Sequence, residues 1–235
     1  MEERNEKIVK KTIFGRRKGK PLRQGLAQML SVDYPKYELF HHNIPSPIDI
    51  KRVFPHSYMY GLEIGFGGGE HLLVRAQQSP DIGFIGVEPF TNGMAKMVRE
   101  LSRHDLENVR LYNGDARDVL HHLKPNCLDQ VTILYPDPWP KLRHHKRRFV
   151  QTDTLQAVAK VLRQGGMLQI ASDIPDYISW VLRHQRNVPQ LRWLVEGAGS
   201  WNQSYEGWPG TRYEKKAIRE GRKPCYLTFH CVASS

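Results

Sequence analysis

The chain has 235 residues, of which 40% are hydrophobic, and its formal net charge at pH 7 is +11. This length and apolar content suffice for one sizeable core, which favours a single α/β domain over two domains. The sequence has no run of 18 apolar residues and no apolar segment near its start, so we expect neither a transmembrane helix nor a secretory signal.

The first 24 residues are polar and basic. They hold nine Lys or Arg against three Glu, a net charge of +6, and Gly15 and Gly19 interrupt any helix. Because basic side chains that neutralise phosphates release counterions, the charge favours a polyanionic partner. We interpret residues 1–24 as a flexible basic arm that could order on RNA, or equally as a frayed terminus. Residues 25–235 are assigned to the single domain, which begins with a short helix and loops.

The three cysteines indicate reduced thiols. Cys127, Cys225 and Cys231 lie too far apart for a C-x-x-C metal site, and their odd number shows no disulfide framework. Free thiols of this kind are typical of a cytoplasmic protein. We therefore expect a cytoplasmic location and no metal ion.

The first predicted strand ends in a glycine turn. The sequence E-x-G-x-G-x-G runs from Glu63 to Gly69, and a helix is predicted from Glu70. The dinucleotide fingerprint G-x-G-x-x-G, started at Gly65, would need glycine at position 70, and a carboxylate beside the turn would repel a pyrophosphate. The turn, including Gly67, therefore favours a ligand that carries an ammonium or sulfonium group.

An acidic residue lies at or just after the end of each of the next two predicted strands. Glu88 ends the strand of residues 83–88 and lies 23 residues after Gly65, a spacing at which a carboxylate can accept both hydroxyls of a ribose. Asp115 follows the strand of residues 109–112. It could accept from an adenine amino group or act as the N-cap of the next helix, and the two roles are compatible.

The most informative stretch follows the fourth predicted strand, residues 128–134. It reads Pro-Asp-Pro-Trp-Pro-Lys over residues 136–141 and continues as a basic run to residue 148. Prolines on both sides restrict the backbone at Asp137, and Trp139 adds a flat apolar surface that could stack on a base or only close a pocket. A carboxylate, an aromatic face and a cationic run together favour a site for a nucleobase and its phosphates.

The remaining pattern completes an α/β fold. A helix over residues 149–162 is predicted to end at Gly165-Gly166, and a fifth strand then ends at Asp173. A helix at 177–186, a strand at 191–195, a loop at 197–210 and a last strand at 224–232 follow. We predict a Rossmann-like, doubly wound, mainly parallel seven-stranded sheet with one late antiparallel strand. The acids at 63, 88, 115, 137 and 173 would then share the rim where ligands bind.

These motifs together closely resemble the bacterial tRNA (guanine-N7-)-methyltransferases of the TrmB type, over nearly the whole chain. The resemblance rests on the glycine turn, the rim acids, the Pro-Asp-Pro-Trp segment with its basic run, and Thr-Arg-Tyr-Glu at 211–214. The arm contributes Gly-Arg-Arg-Lys-Gly-Lys at 15–20, where the family has R-R-x-G-R. Lys20 replaces the last arginine, which preserves charge but not phosphate geometry. The resemblance implies a class I, S-adenosylmethionine-dependent fold and transfer of a methyl group to a variable-loop guanosine of tRNA, at position 46.

The resemblance also implies roles for individual residues. The S-adenosylmethionine pocket would be lined by Glu63, Gly65, Gly67, Glu88, Asp115 and Asp137. Asp137 would be the catalytic acid. The guanosine would be bound by Lys141, Asp173, Thr211, Arg212, Tyr213 and Glu214. Phosphate contacts are expected from Arg143, Lys146, Arg147 and Arg148.

Three other functions fit parts of the pattern. The protein could methylate an exocyclic amine of RNA, because an acid flanked by prolines also suits amine substrates. It could bind RNA without catalysis, although the complete set of rim acids argues against that. An NAD-dependent oxidoreductase is disfavoured by Glu70. The expected partner is tRNA, with no membrane and no obligate protein partner, and the chain could be a monomer or a homodimer.

Overall fold

A computed structural model describes residues 14, 15, 17–40, 47–195 and 197–233, and every structural statement refers to these residues. The strands are β1 Met59–Ile64, β2 Ile82–Val87, β3 Val109–Tyr112, β4 Leu128–Leu134, β5 Leu162–Ser172, β6 Leu191–Leu194 and β7 Cys225–Cys231. The helices are α1 Gln24–Tyr37, α2 Ile50–Val53, α3 Glu70–Gln78, α4 Thr91–Arg103, α5 Ala116–His122, α6 Thr152–Val161, α7 Pro175–Gln185 and α8 Arg212–Arg219. Two 3₁₀ helices span Leu142–Arg147 and Ser200–Asn202.

The strands form one sheet in the order β3-β2-β1-β4-β5-β7-β6. Neighbours from β3 to β5 pair in parallel, whereas β7 pairs antiparallel with both β5 and β6. This confirms the predicted doubly wound, mainly parallel sheet with a late antiparallel strand. The chain reverses its strand order between β1 and β4, which is where such sheets open a crevice at their carboxyl edge.

Helices cover the sheet and bury its apolar strands. Five of the six residues of β1 and of β2 are buried, as expected for parallel strands packed on both faces. One apolar cluster joins the sheet to α3 and α4 through residues such as Leu72, Met97 and Leu101. A larger cluster joins it to α5, α6 and α7, and includes Val119, Val158 and Val181. No described helix has the length and apolar character that crossing a membrane would require.

The prediction that Gly165-Gly166 ends a helix is wrong. Helix α6 ends at Val161, and β5 begins with the next residue. The register between β4 and β5 shifts within Leu128–Gln130, and Gly165 has a φ of +77°. A Cβ on Gly166 would lie 3.1 Å from the carbonyl oxygen of Asp129, so the glycines permit an irregular, close strand pairing.

Helix α8 was not predicted, because its sequence is almost entirely polar. Thr211 and Glu214 form its capping box: Glu214 N donates to Thr211 Oγ1 at 3.0 Å, and Thr211 N donates back to Glu214 Oε2 at 3.3 Å. The Thr-x-x-Glu spacing is the usual sequence signature of this cap. That spacing could have revealed the helix.

Candidate active site

A cavity of about 430 Å³ opens at the carboxyl edge of the sheet, next to the ends of β1, β2 and β4. Its wall combines rim residues with parts of the loops beyond the strands. Of the predicted site residues, those that line it are Gly65, Gly67, Glu88, Asp115, Asp137, Arg147, Arg212 and Tyr213. The parallel topology thus gathers residues from five separate parts of the sequence around one space.

The glycine turn forms one side of the cavity. Gly65 and Gly67 have φ values of +74° and +58°, in the left-handed region that other residues rarely adopt. A Cβ on Gly93 of α4 would lie 2.1 Å from the carbonyl oxygen of Gly67, so glycine at position 93 lets α4 pack directly against the turn. The turn is therefore held in place from outside the cavity, and open space remains next to Gly65.

Glu88 supports the turn and faces the cavity. Its two carboxylate oxygens accept from Gly67 N at 2.6 Å and from Phe90 N at 2.9 Å. Burial raises the pKa of Glu88, and the two backbone hydrogen bonds and the Arg212 guanidinium offset part of that rise. Glu88 therefore orders the glycine turn and lines the cavity.

Asp115 is the N-cap of α5, which was one of its two predicted roles. Its Oδ1 accepts from Arg117 N at 3.0 Å, and both carboxylate oxygens accept from the Arg117 guanidinium, at 2.6 and 3.0 Å. Asp115 also lines the cavity, so the second role is geometrically compatible with the first. A carboxylate has lone pairs for more than one donor, which leaves room for a ligand amino group.

Asp137 lines the same cavity, in a loop with unusual backbone geometry. Tyr135 and Trp139, two residues before and after it, have φ values of +48° and +42°. Bulky residues seldom occupy this region, and such conformations cluster at functional sites. More than a third of Asp137 is accessible through the cavity, yet the surrounding protein displaces enough water to raise the pKa of its carboxyl.

Trp139 and Arg147 form a stacked pair in the cavity wall. The Arg147 guanidinium carbon lies 5.0 Å from the centre of the Trp139 ring and 5.3 Å from that of Phe14. His144 contacts the indole edge-on, with ring centres 5.8 Å apart. One face of Trp139 is thus covered by a cation, which fixes the ring as part of the wall.

Arg148 corrects a prediction: it was expected to contact phosphate, but its side chain is fully buried. Its Nε donates to the carbonyl oxygen of Pro138 at 2.8 Å, and its Nη2 pairs with the Asp176 carboxylate. The guanidinium also lies over the rings of Tyr177 and Trp180, at 5.4 and 5.0 Å. Arg148 therefore connects the Asp137 loop to α7 instead of facing solvent. The sequence alone could not show this, because it does not distinguish a buried arginine from an exposed one within a basic run.

Three other cations of that region do face solvent. Lys141, Arg143 and Lys146 are exposed and do not line the cavity. Arg143 and Lys146 lie on the 3₁₀ helix Leu142–Arg147, whose last residue lines the cavity, and Lys141 immediately precedes that helix. Arg143 and Lys146 are therefore accessible to phosphates, whereas Lys141, which was expected to bind the guanosine, lies outside the cavity wall.

Two predicted site acids make their contacts inside the protein. Glu63 Oε2 is hydrogen-bonded to His71 Nδ1 at 2.6 Å, and both side chains are buried. Glu214 accepts from Trp208 Nε1 at 2.8 and 2.9 Å and from the hydroxyl of Tyr226. The Trp208 ring also packs on His71 at 4.9 Å, so the two acids belong to one buried polar network behind the glycine turn.

Of the Thr-Arg-Tyr-Glu segment, only the middle two residues reach the cavity. Thr211 and Glu214 are buried in the capping box, whereas a Cβ on Gly67 would lie 3.6 Å from the Tyr213 ring and 4.0 Å from the Arg212 guanidinium. Asp173 pairs with Arg222 and does not line the cavity. The cap therefore places Arg212 and Tyr213 over the glycine turn.

The described part of the arm lies across this site. A Cβ on Gly15 would lie 3.2 Å from Asp137 Oδ2, and Phe14 lines the cavity. Further along, Asn92 at the start of α4 accepts from Gly19 N at 2.7 Å and donates to the carbonyl oxygen of Lys20 at 2.8 Å. Thr91 N donates to the carbonyl oxygen of Arg17 at 3.0 Å. The predicted arm residues 1–13 and Arg16 lie outside the described residues.

The aromatic part of the wall was not predicted from the sequence. Phe14, Phe90 and Phe149 line the cavity, as does Arg117. Phe90 follows Glu88 by two residues, and Phe149 directly follows the basic run. Their closeness in sequence to predicted site residues is the signal that could have identified them. Together with Val87 and Ile133 they give the cavity apolar surface between two acidic regions, which suits a flat ring joined to a hydroxylated sugar.

Comparisons with known proteins agree with this geometry. A family model described as "Putative methyltransferase" matches residues 58–227. The chain is 51% identical over 221 residues to a tRNA (guanine-N(7)-)-methyltransferase of Azorhizobium caulinodans, covering 94% of this chain and 95% of that one. It is 46% identical over 230 residues to the protein of the same name from a Chelativorans species, covering 97% and 99%.

Solved structures share the fold at low sequence identity. The "Structure of an Antibiotic Related Methyltransferase" matches with a TM-score of 0.55 at 16% identity, over 85% of this chain and 98% of that chain. The "Crystal Structure of 16S rRNA Methyltranferase KamB" gives a TM-score of 0.55 at 16% identity, over 78% of this chain and 93% of that chain. These similarities confirm a class I methyltransferase fold.

Proposed function

Because the chain belongs to the tRNA (guanine-N(7)-)-methyltransferase family, we infer that it transfers a methyl group from S-adenosylmethionine to N7 of a guanosine in tRNA. The observation that carries this function beyond the similarity is the position of Asp137. Its carboxylate lies on the wall of the same cavity that the glycine turn, Glu88 and Asp115 form. One space therefore holds both the groups suited to the methyl donor and the group suited to the acceptor base.

The residues of the cavity fit S-adenosylmethionine. The glycine turn leaves open space at Gly65 that a Cβ would fill, and Glu88 and Asp115 supply acceptors for ribose hydroxyls and for an adenine amino group. Ile133 and Phe149 supply apolar surface for the adenine ring. When bound, S-adenosylmethionine supplies an electrophilic methyl group on a sulfonium.

Asp137 is proposed to position and stabilise the guanine. Guanine N7 carries a lone pair and no proton, so its methylation needs no general base, and catalysis depends on positioning and electrostatics. An ionised Asp137 can accept from the guanine N1–H and N2 amino groups and stabilise the positive charge that methylation places on the purine. An exposed RNA loop lowers the cost of turning the base out of its stack.

The cations beside the cavity are proposed to bind tRNA phosphates. Lys141, Arg143 and Lys146 are exposed, and Arg147 lines the cavity mouth. We propose that these residues hold the strand that carries the target guanosine, which the family resemblance places in the variable loop. Such a reaction would take place in the cytoplasm, the location that reduced thiols favour.

Product analysis tests the function. Purified protein is incubated with S-adenosylmethionine and unmodified tRNA, and the nucleosides of the digested RNA are identified. We expect 7-methylguanosine, and its loss when the variable-loop guanosine is replaced by adenosine. N2-methylguanosine or N6-methyladenosine would instead establish methylation of an exocyclic amine and overturn the role of Asp137. Binding of tRNA without any methylated product would support a non-catalytic RNA-binding protein.

Substitution of Asp137 tests its assigned role. Asp137→Ala removes the proposed acceptor for N1–H and N2, so turnover should fall by about 10²-fold or more while tRNA affinity changes little, as for loss of one transition-state hydrogen-bond partner. Single-turnover rates and binding titrations measure the two quantities separately. Equal losses in both would show that Asp137 only helps to bind tRNA.

A further inference from the structure

Helix α8 presents a row of cations that the proposed function does not yet use. Arg212, Lys215 and Arg219 stand at positions i, i+3 and i+7 of the helix, a spacing that places them on one face. All three are exposed, and exposed Lys223 follows shortly after the helix. The helix is held by its other face, where Glu214 and Ala217 are buried.

Two charges of this row, those of Lys215 and Arg219, lie outside the ion pairs of the described residues. In the part of the chain that the structure describes, neither Lys215 nor Arg219 forms an ion pair, whereas Lys216 lies 3.9 Å from Glu220. Arg222 likewise forms ion pairs with Asp173 and Glu220. The local acids thus pair with residues off the row, and the row itself faces solvent with its charge available.

The row lies on the same rim as the cavity. At its start, Arg212 and Tyr213 line the cavity next to Gly67. Beyond its end, β7 begins at Cys225, which pairs with Ser172 at the carboxyl end of β5. Arg222 connects the end of α8 to the same edge, because its N–H donates to the Ala217 carbonyl oxygen and its guanidinium pairs with Asp173, which follows β5.

Two cationic elements consequently contribute to the wall of the cavity. The 3₁₀ helix Leu142–Arg147 follows β4, and its last residue, Arg147, lines the cavity, as Arg212 of α8 does. A nucleoside that enters the cavity is attached to phosphates on both its 5′ and 3′ sides. A strand that delivers a base to Asp137 has to leave the cavity in two directions, and the two cationic elements offer one phosphate-binding surface for each direction.

We propose that α8 is a second RNA-binding surface, on which Lys215 and Arg219 bind the sugar-phosphate backbone of the substrate. They would bind on the side of the target nucleoside opposite to that held by Lys141, Arg143 and Lys146. This rests on the proposed function for the identity of the RNA. The surface is a row of spaced cations, and the exposed apolar side chains of the helix, Tyr213 and Ile218, stand singly, so it suits phosphates better than an apolar protein partner.

The salt dependence of tRNA binding tests this surface. The variant Lys215→Gln/Arg219→Gln removes two proposed phosphate contacts, and each contact contributes about 0.7–0.9 to the slope of log K against log salt. We expect its slope to be shallower than that of the unaltered protein by about 1.4–1.8 and its tRNA affinity at low salt to be roughly tenfold or more weaker. Equilibrium titrations with unmodified tRNA over a range of salt concentrations give both values.

A matched control removes two exposed arginines from the other edge of the sheet. Arg103 and Arg186 lie at the C-terminal ends of α4 and α7, whose N-termini follow the carboxyl edge. Arg103→Gln/Arg186→Gln lowers the net charge equally and should retain the wild-type slope. An unchanged slope in the α8 variant, or the same loss of slope in the control, would overturn the proposal.

Failure of the proposed function would have a different signature. If the unaltered protein makes no 7-methylguanosine but the α8 variant still loses salt slope and the control does not, then the surface binds RNA and only the reaction was misassigned. Combining the α8 changes with Lys141→Gln/Arg143→Gln tests the two-sided arrangement. Independent contacts predict additive losses in slope, whereas no further loss would contradict separate surfaces.

Discussion

At the scale of single residues, the Asp137 loop is held in a conformation that its own sequence does not favour. Tyr135 and Trp139 both have positive φ, which costs of order 1–3 kcal/mol each for residues other than glycine. Such a loop keeps its shape only when neighbouring residues fix it. Arg148 fixes this loop, because it donates to the Pro138 carbonyl oxygen and pairs with the Asp176 carboxylate.

Arg148 is therefore expected to act as a positioning residue for Asp137. Arg148→Ala removes both hydrogen bonds and leaves a cavity between the Tyr177 and Trp180 rings, so stability should fall by about 2–5 kcal/mol and turnover should fall with it. Added guanidinium, at concentrations too low to unfold the protein, should restore part of kcat with little change in KM for tRNA. Thermal unfolding and single-turnover rates measure these effects.

Asp176→Asn is the matched control for Arg148. It weakens the outer contact of the guanidinium, on a side chain that is 62% exposed, but leaves the bond from Nε to the Pro138 carbonyl in place. We expect most of the turnover to remain. A folded Arg148→Ala protein with wild-type kcat, or one that guanidinium does not rescue, would show that Arg148 serves stability alone.

The sequence indicated which residue types gather at the site, but not how each side chain is used. Glu88, Asp115 and Asp137 reach the cavity because parallel strands bring their carboxyl ends to one edge. Glu63 and Glu214 have the same chemistry and yet bond to His71 and Trp208 inside the protein. That difference depends on the direction of each side chain and on distant partners, which strand position alone does not specify.

At the scale of elements, apolar periodicity predicted most helices and strands. Helix α4, from Thr91 to Arg103, and strands β3 and β4 have the predicted bounds, because alternating or helical apolar patterns reflect burial directly. Helix α8 and the start of β5 were missed because neither depends on such a pattern. The first is specified by its capping box, and the second by glycines that permit close strand pairing.

The described residues 14, 15 and 17–20 form an irregular segment that lies against the cavity, which Phe14 lines. Asn92 ties it to α4 through two hydrogen bonds, and Phe14 and Gly15 lie against the site. Asn92→Ala removes both bonds, each of which contributes about 1 kcal/mol. We expect S-adenosylmethionine to dissociate several-fold faster, because the outer wall of its pocket is held less firmly. Stopped-flow dissociation measures this rate.

Lys96→Ala is the control for Asn92. Lys96 is exposed on the same helix, one turn further on, and it does not line the cavity. Its substitution should leave the dissociation rate unchanged. If Asn92→Ala also dissociates at the wild-type rate, then the segment does not retain the ligand.

At the scale of the whole molecule, the carboxylates of the site lower the stability of the folded state. The protein carries a net charge of +11, yet the cavity collects carboxylates that burial holds in an unfavourable environment. The pKa values of Glu88 and Asp137 are both raised, mainly by desolvation, and the Asp137 charge further raises that of Glu88. Functional sites commonly retain such a cost, because the charges are needed for binding and catalysis.

Asp137→Asn should therefore raise stability while abolishing most turnover. The folded pKa of Asp137 lies above its unfolded pKa of about 3.9, so the folded state disfavours the ionised form. Below about pH 4 both states are protonated and the two proteins should be equally stable. The gain from Asn should appear as the pH rises from about 4 through the raised folded pKa, and it should persist at neutral pH. Denaturant unfolding of both proteins at several pH values measures the difference.

Asp176→Asn supplies the control of opposite sign. Hydrogen bonding to Arg148 lowers the pKa of Asp176, so its ionised form stabilises the folded state above about pH 4, and that contribution is lost as the pH falls through the lowered folded pKa. Its Asn variant should be less stable than the unaltered protein at neutral pH and equally stable in strong acid. The carboxylates of Asp137 and Asp176 would then shift stability in opposite directions. If Asp137→Asn instead destabilises the protein at neutral pH, its carboxylate contributes to the fold, and the low stability of the site has another origin.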